Sequence, residues 1–228
     1  MFMPFWDPTM ILLLPAIILS IWAQARIKKT FAKFSKVTTS KRLTGAQIAR
    51  SILDTNGLDK VPVNEIEGNL TDNYNPIKKT LNLSRTVYDS PSIAAVGVAA
   101  HEAGHAIQHK KAYFPLAIRN GIYPITRFGS WLAFPLILIG FFMASPALIK
   151  IGIWLFAGFV AFTLVTLPVE FNASRRAVQI LTSTGYFSPA ELSGVGKVLN
   201  AAALTYVAAA LTALMNLLRL ILLSGNRD

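Results

Sequence analysis

Residues 92–109 read Ser92-Ile-Ala-Ala-Val-Gly-Val-Ala-Ala-His101-Glu102-Ala103-Gly104-His105-Ala106-Ile107-Gln108-His109, and they hold all three histidines of a 228-residue chain. The preceding Ser90-Pro91 pair opens a helix, with serine at the N-cap and proline at the first helical position. The predicted helix covers 91–110. His101 and His105, four residues apart, project from one face of it, one turn from each other. Two imidazole nitrogens in that relation can reach a single ion at about 2.0–2.1 Å, the distance zinc prefers. Glu102 sits beside the ligand face, where a carboxylate can take a proton from a water activated by the ion.

Such a site needs a third protein ligand and an open position. The chain has no cysteine, so the ligand must be histidine or carboxylate. His109 lies eight residues from His101, about 12 Å along the helix axis, and is expected at the surface or behind the ligands. Beyond the helix the carboxylates are Glu170, Glu191 and Asp228. Glu191 closes a capping box with Ser188, and Asp228 is the last residue. Glu170 is the strongest candidate, with pairing to Arg175 or Arg176 as its competing explanation. Asp72 and Asp89 are weaker rivals that turn and helix-entry chemistry accounts for.

Upstream, Thr44-Gly45-Ala46-Gln47 reads as a capping box, the run to Asn56 as a helix and Gly57 as its C-cap. Residues 61–67 and 80–84 alternate like short strands, with 71–76 between them as a turn. The strand at 80–84 is a candidate for pairing with an extended peptide.

Outward from this folded segment the composition changes. Hydrophobic residues make up 53% of the chain and charged ones 14%, and the mean hydropathy is +0.48. That excludes disorder. Residues 10–23 are uncharged with Trp6 and Trp22 at the ends of the run, 128–149 and 151–168 are two further uncharged runs, and 204–223 is interrupted only by Arg219. The Ser145-Pro146 pair and Lys150 mark a link between the middle two, predicting a transmembrane hairpin. Arg219 is expected to snorkel from the outer end of the last span.

A net charge of +11 would suggest a nucleic-acid partner in a soluble chain, but 16 of the 22 basic residues lie between Arg26 and Arg127, interleaved with acids. The charge is a topology signal, and no nucleic-acid partner is expected. Segments rich in lysine and arginine stay cytoplasmic. The expected protein is therefore a mostly α, multi-pass protein of the cytoplasmic membrane with its site facing the cytoplasm. Residues 1–25 form an anchor, 26–127 a small α+β zincin-like domain, 128–168 the hairpin, 169–202 a cytoplasmic helix with the third ligand, and 203–228 the last transmembrane helix.

Four stretches carry a resemblance: Leu70-Thr-Asp-Asn-Tyr-Asn-Pro76, Leu81-Asn-Leu-Ser84, Val98-Ala-Ala-His-Glu-Ala-Gly-His-Ala-Ile-Gln108 and Leu167-Pro-Val-Glu-Phe-Asn-Ala-Ser-Arg-Arg-Ala177. With them the chain resembles the YugP-like membrane zinc metallopeptidases, a family of bacterial neutral zinc metallopeptidases, over most of its length. More distantly it is similar to the gluzincin membrane proteases, whose third ligand is a glutamate on a later helix. The resemblance implies one zinc per chain held by His101, His105 and Glu170, with Glu102 as the catalytic base. Many gluzincins carry an aspartate four residues after the ligand glutamate, where this chain has Ser174.

The expected activity is endopeptidase hydrolysis of membrane proteins or membrane-delivered peptides at the cytoplasmic face of the bilayer. Arg175, Arg176, Asn73 and Tyr74 are candidate oxyanion donors. A non-catalytic membrane scaffold with a structural zinc is the competing reading. A transporter is disfavoured by spans nearly devoid of polar residues.

Overall fold

The computed structural model describes residues 7–225, so Trp6, Arg227 and Asp228 lie outside the described residues. After a short 3-10 turn, Pro8–Leu13, the elements are α1 (Leu14–Phe34), α2 (Gly45–Thr55), β1 (Val63–Ile66), β2 (Asn73–Asn75), β3 (Thr80–Ser84), α3 (Arg85–Tyr88), α4 (Ile93–Lys110), α5 (Phe114–Phe142), α6 (Pro146–Ser183) and α7 (Pro189–Gly225). The chain is mostly helical, with one three-stranded sheet. It divides into two compact units, one holding the chain up to Gln24, Ala117–Pro168 and the chain from Thr205, the other Ala25–Leu116 and Val169–Leu204.

The first unit is built from apolar helix segments. Pro8–Phe34, α5, α6 and α7 are each long and apolar enough to cross a membrane. Ala133, Ile137, Phe156, Val160, Ala213 and Leu220 form its small interior, while Phe128, Trp131, Phe142 and Trp154 point outward. Large apolar side chains turned outward around an equally apolar interior are what a lipid solvent permits. The hairpin turn is confined to 143–145, so Lys150 lies inside α6 rather than in the link. Arg219 also has a partner that the sequence reading did not name: its guanidinium pairs with Asp7 at 2.5 Å, and a charge in an apolar helix is stabilised by an opposite charge within reach.

The second unit packs around α4, which is buried over most of its length and rich in small side chains, among them Ala95, Ala99, Ala100, Ala103 and Ala106. Small side chains there let neighbouring elements approach on several sides. Its core includes Ile48, Ile52 and Leu53 of α2, Leu81 and Leu83 of β3, Ala177 and Leu181 of α6, and Val195 and Leu199 of α7. The capping box predicted for α2 is present in both directions between Thr44 and Gln47, and Gly57 past its end has φ +64°, the left-handed geometry glycine tolerates. Ser188 and Glu191 cap α7 in the same reciprocal way, and Glu191 Oε1 also accepts from the Ser40 N–H and hydroxyl.

Three local readings change. The N-cap of α4 is Ser92 rather than Ser90, accepting from the Ala95 N–H, because Ser92 itself is still extended, bridged to Thr38, and the Pro91 carbonyl accepts from Thr39 N–H. The segment expected to be a turn contains strand β2, which pairs antiparallel with β3 in the register Asn73↔Asn82, Tyr74↔Leu81, Asn75↔Thr80. β1 pairs parallel with the other edge of β3, giving the order β1-β3-β2. Residues 80–84 are therefore the central strand, with both edges paired inside the sheet, and β2 is an edge strand. Finally, no break at Pro168 separates hairpin from ligand helix. α6 runs on to Ser183.

Candidate metal centre

Three side chains meet where α4 faces α6. Glu170 Oε2 lies 3.2 Å from His101 Nε2 and 3.6 Å from His105 Nε2, and one ligand atom from each of the three residues falls within 4.8 Å of the others. The imidazole rings stand edge to face with centroids 4.7 Å apart. Glu170 is 2% exposed, and its carboxylate meets these histidines rather than Arg175 or Arg176. Among the described residues this is the cluster that could hold a metal ion. Two imidazole nitrogens and one carboxylate oxygen form a donor set that suits zinc and leaves a fourth position for a reactant.

The closeness of α4 and α6 has a definite cause. A Cβ built on Gly104 would stand 2.9 Å from the backbone carbonyl oxygen of Ala173. Only glycine lets the two helices approach this far, and Gly104 precedes His105 directly. Gly104→Ala is expected to force the helices apart, destabilising the fold by about 1–3 kcal/mol as overpacking does. It should lower metal occupancy as well, measured by thermal unfolding and elemental analysis of the same preparation. Unchanged occupancy would show that this contact does not set the spacing of the cluster.

Behind the cluster, Ser174 Oγ lies 3.1 Å from His101 Nδ1, so the hydroxyl supports the ring from its far side. Gln108 Oε1 lies 3.0 Å from His105 Nδ1. Burial alone lowers the pKa of His105, but the hydrogen bond to Glu170 and the charges of Glu102 and Glu170 outweigh it and hold the imidazole above its ordinary range.

Glu102 is buried beside the cluster and its Oε2 accepts from the Tyr74 N–H at 2.9 Å. An N–H of the edge strand β2 thus holds the carboxylate. The Tyr74 hydroxyl lies 2.9 Å from His109 Nδ1, which places His109 on the tyrosine and outside the ligand cluster. Asp72 accepts from the N–H and hydroxyl of Ser84, at 2.7 and 3.1 Å, pinning the start of β2 to the end of β3. Burial pushes its pKa up, against those hydrogen bonds and with help from the charge of Glu102. Of the oxyanion candidates, Arg176 Nε donates to Asn172 Oδ1 at 2.7 Å, Asn73 is tied to Thr71 and Asn82 across the sheet, and Arg175 is exposed. Sequence reasoning missed Gln108 and Asn172. The signal available for Gln108 was its spacing, three residues after His105 on the same helix side.

Residues 9–225 match the family described as "Putative neutral zinc metallopeptidase". The chain is also similar to "Putative membrane protease YugP" of Bacillus subtilis (strain 168), at 50% identity over 215 residues, which cover 94% of this chain and 96% of that protein. No solved structure matches the chain.

Proposed function

The chain belongs to the neutral zinc metallopeptidase family, and on that premise we propose that it is a membrane-embedded, zinc-dependent endopeptidase. The observation that carries this reading is the meeting of His101, His105 and Glu170 with Glu102 held alongside them. His101 and His105 would hold zinc through Nε2, and Glu170 through a carboxylate oxygen. When bound, zinc polarises a carbonyl and acidifies water at neutral pH. Glu102 takes the proton of the attacking water and passes it to the leaving amine. Tyr74 N–H keeps that carboxylate aimed.

An extended peptide would lie along β2 rather than β3, because β2 is the edge strand beside Glu102 and β3 has no unpaired edge in the sheet. Four apolar helices support a multi-pass membrane protein. The basic residues of 26–127, with Arg175, Arg176 and Lys197, support a site on the cytoplasmic face of the cell membrane. Substrates would be membrane proteins or peptides delivered at that face.

The test is metal removal and restoration. Full-length protein in detergent is expected to carry about one zinc, to hydrolyse casein or a membrane-protein reporter, to lose activity with a chelator and to regain it with zinc. Zinc without hydrolysis would leave the scaffold reading standing instead.

A further inference from the structure

Gln108 is a fully buried side chain to which peptide hydrolysis assigns no step. Its amide is oriented from the α6 side. Nε2 donates to the Val169 carbonyl at 2.8 Å and to Asn172 Oδ1 at 3.0 Å. A carbonyl only accepts, so the first contact requires the NH2 end of Gln108. The second is fixed one step further away: Arg176 Nε, which only donates, lies 2.7 Å from the same Asn172 oxygen and identifies it as the oxygen. Oε1 is thus the end of Gln108 left for His105 Nδ1, at 3.0 Å. A carboxamide oxygen only accepts, so Nδ1 carries a proton and Nε2 is the nitrogen turned to Glu170.

We propose that Gln108 is a positioning residue for the metal centre, and that with Val169, Asn172 and Arg176 it sets the tautomer and ring rotation in which His105 offers Nε2 to zinc. The inference rests on the reading of His105 as a ligand. The two histidines are not equivalent in this respect. His101 Nδ1 meets the Ser174 hydroxyl, which can donate or accept and so imposes no tautomer. At His105 the chain of one-way groups leaves no such freedom. Both acceptors of the Gln108 amide belong to α6, the helix that carries Glu170, so one helix supplies the third ligand and the orientation of the second.

The experiment measures zinc affinity by competition with a chromophoric chelator, using full-length protein in detergent. The absorption spectrum of the cobalt-loaded protein serves as a second readout. Gln108→Met keeps the volume and removes the acceptor, and zinc affinity is expected to fall by about 10–100-fold, as for other outer partners of ligand histidines. Gln108→Glu keeps an acceptor for Nδ1 while losing the donations to α6. It should recover most of the affinity and the wild-type cobalt bands even though its metal-free form melts lower. Arg176→Ala, whose fold is not at risk from a core change, should show a smaller loss in the same direction.

Wild-type affinity in Gln108→Met, or equal losses in the Met and Glu variants, would overturn the proposal and leave the metal reading intact. A wild-type protein with no measurable zinc affinity would overturn both.

Discussion

Glu102→Gln is expected to keep about one zinc per chain and to lose hydrolysis by about 10²–10⁴-fold, the range that a positioned general base contributes. Glutamine has the shape of glutamate, and its carbonyl oxygen can accept the Tyr74 N–H that now donates to Oε2 at 2.9 Å. The edge strand should therefore stay in place, and the metal-binding side chains are untouched. What disappears is the capacity to take a proton. Turnover of a protein reporter, elemental zinc analysis and thermal unfolding on one preparation separate these effects. A variant that still cleaves at wild-type rate would remove Glu102 from the reaction and the proposed mechanism with it. A variant that loses zinc would mean that the carboxylate supports the metal rather than the proton transfer.

The residues differ in how far the sequence alone places them. His101, Glu102 and His105 are legible because they share one helix, where four-residue spacing is itself a statement about three-dimensional position. The apolar runs are legible for the same reason: length and composition are local properties. Glu170 is reached only indirectly, by elimination and by the family resemblance, since nothing local says that α6 continues past Pro168 and packs on α4 closely enough to bring a residue 69 positions away to His101. β2 is hidden by its turn-like composition. Its three residues become a strand because the central strand β3 offers them an unpaired edge and Asp72 fastens the entry. The Asp7–Arg219 pair joins residues 212 positions apart, a contact that no local pattern encodes.

Glu170→Ala is expected to reduce zinc from about one per chain to nearly none after dialysis and to abolish hydrolysis. The loss of affinity should exceed the 10–100-fold that outer partners of a ligand cost, because a coordinating atom itself is removed. The carboxylate is 2% exposed and within 3.6 Å of both imidazoles, so no water of the bulk solvent takes its place easily and no other carboxylate among the described residues joins the cluster. Truncation also removes the group whose hydrogen bond and charge raise the His105 pKa against the effect of burial. The metal-free variant should consequently titrate His105 at lower pH than the metal-free wild type, a shift visible by NMR of the imidazole and independent of any activity. The two readouts part in an informative way. Loss of zinc with the lowered His105 titration places Glu170 at the metal and against His105, as the geometry has it. Retained zinc would assign the third ligand elsewhere, with Asp72 the nearest rival, and would mean that the approach of α6 to α4 serves packing rather than coordination.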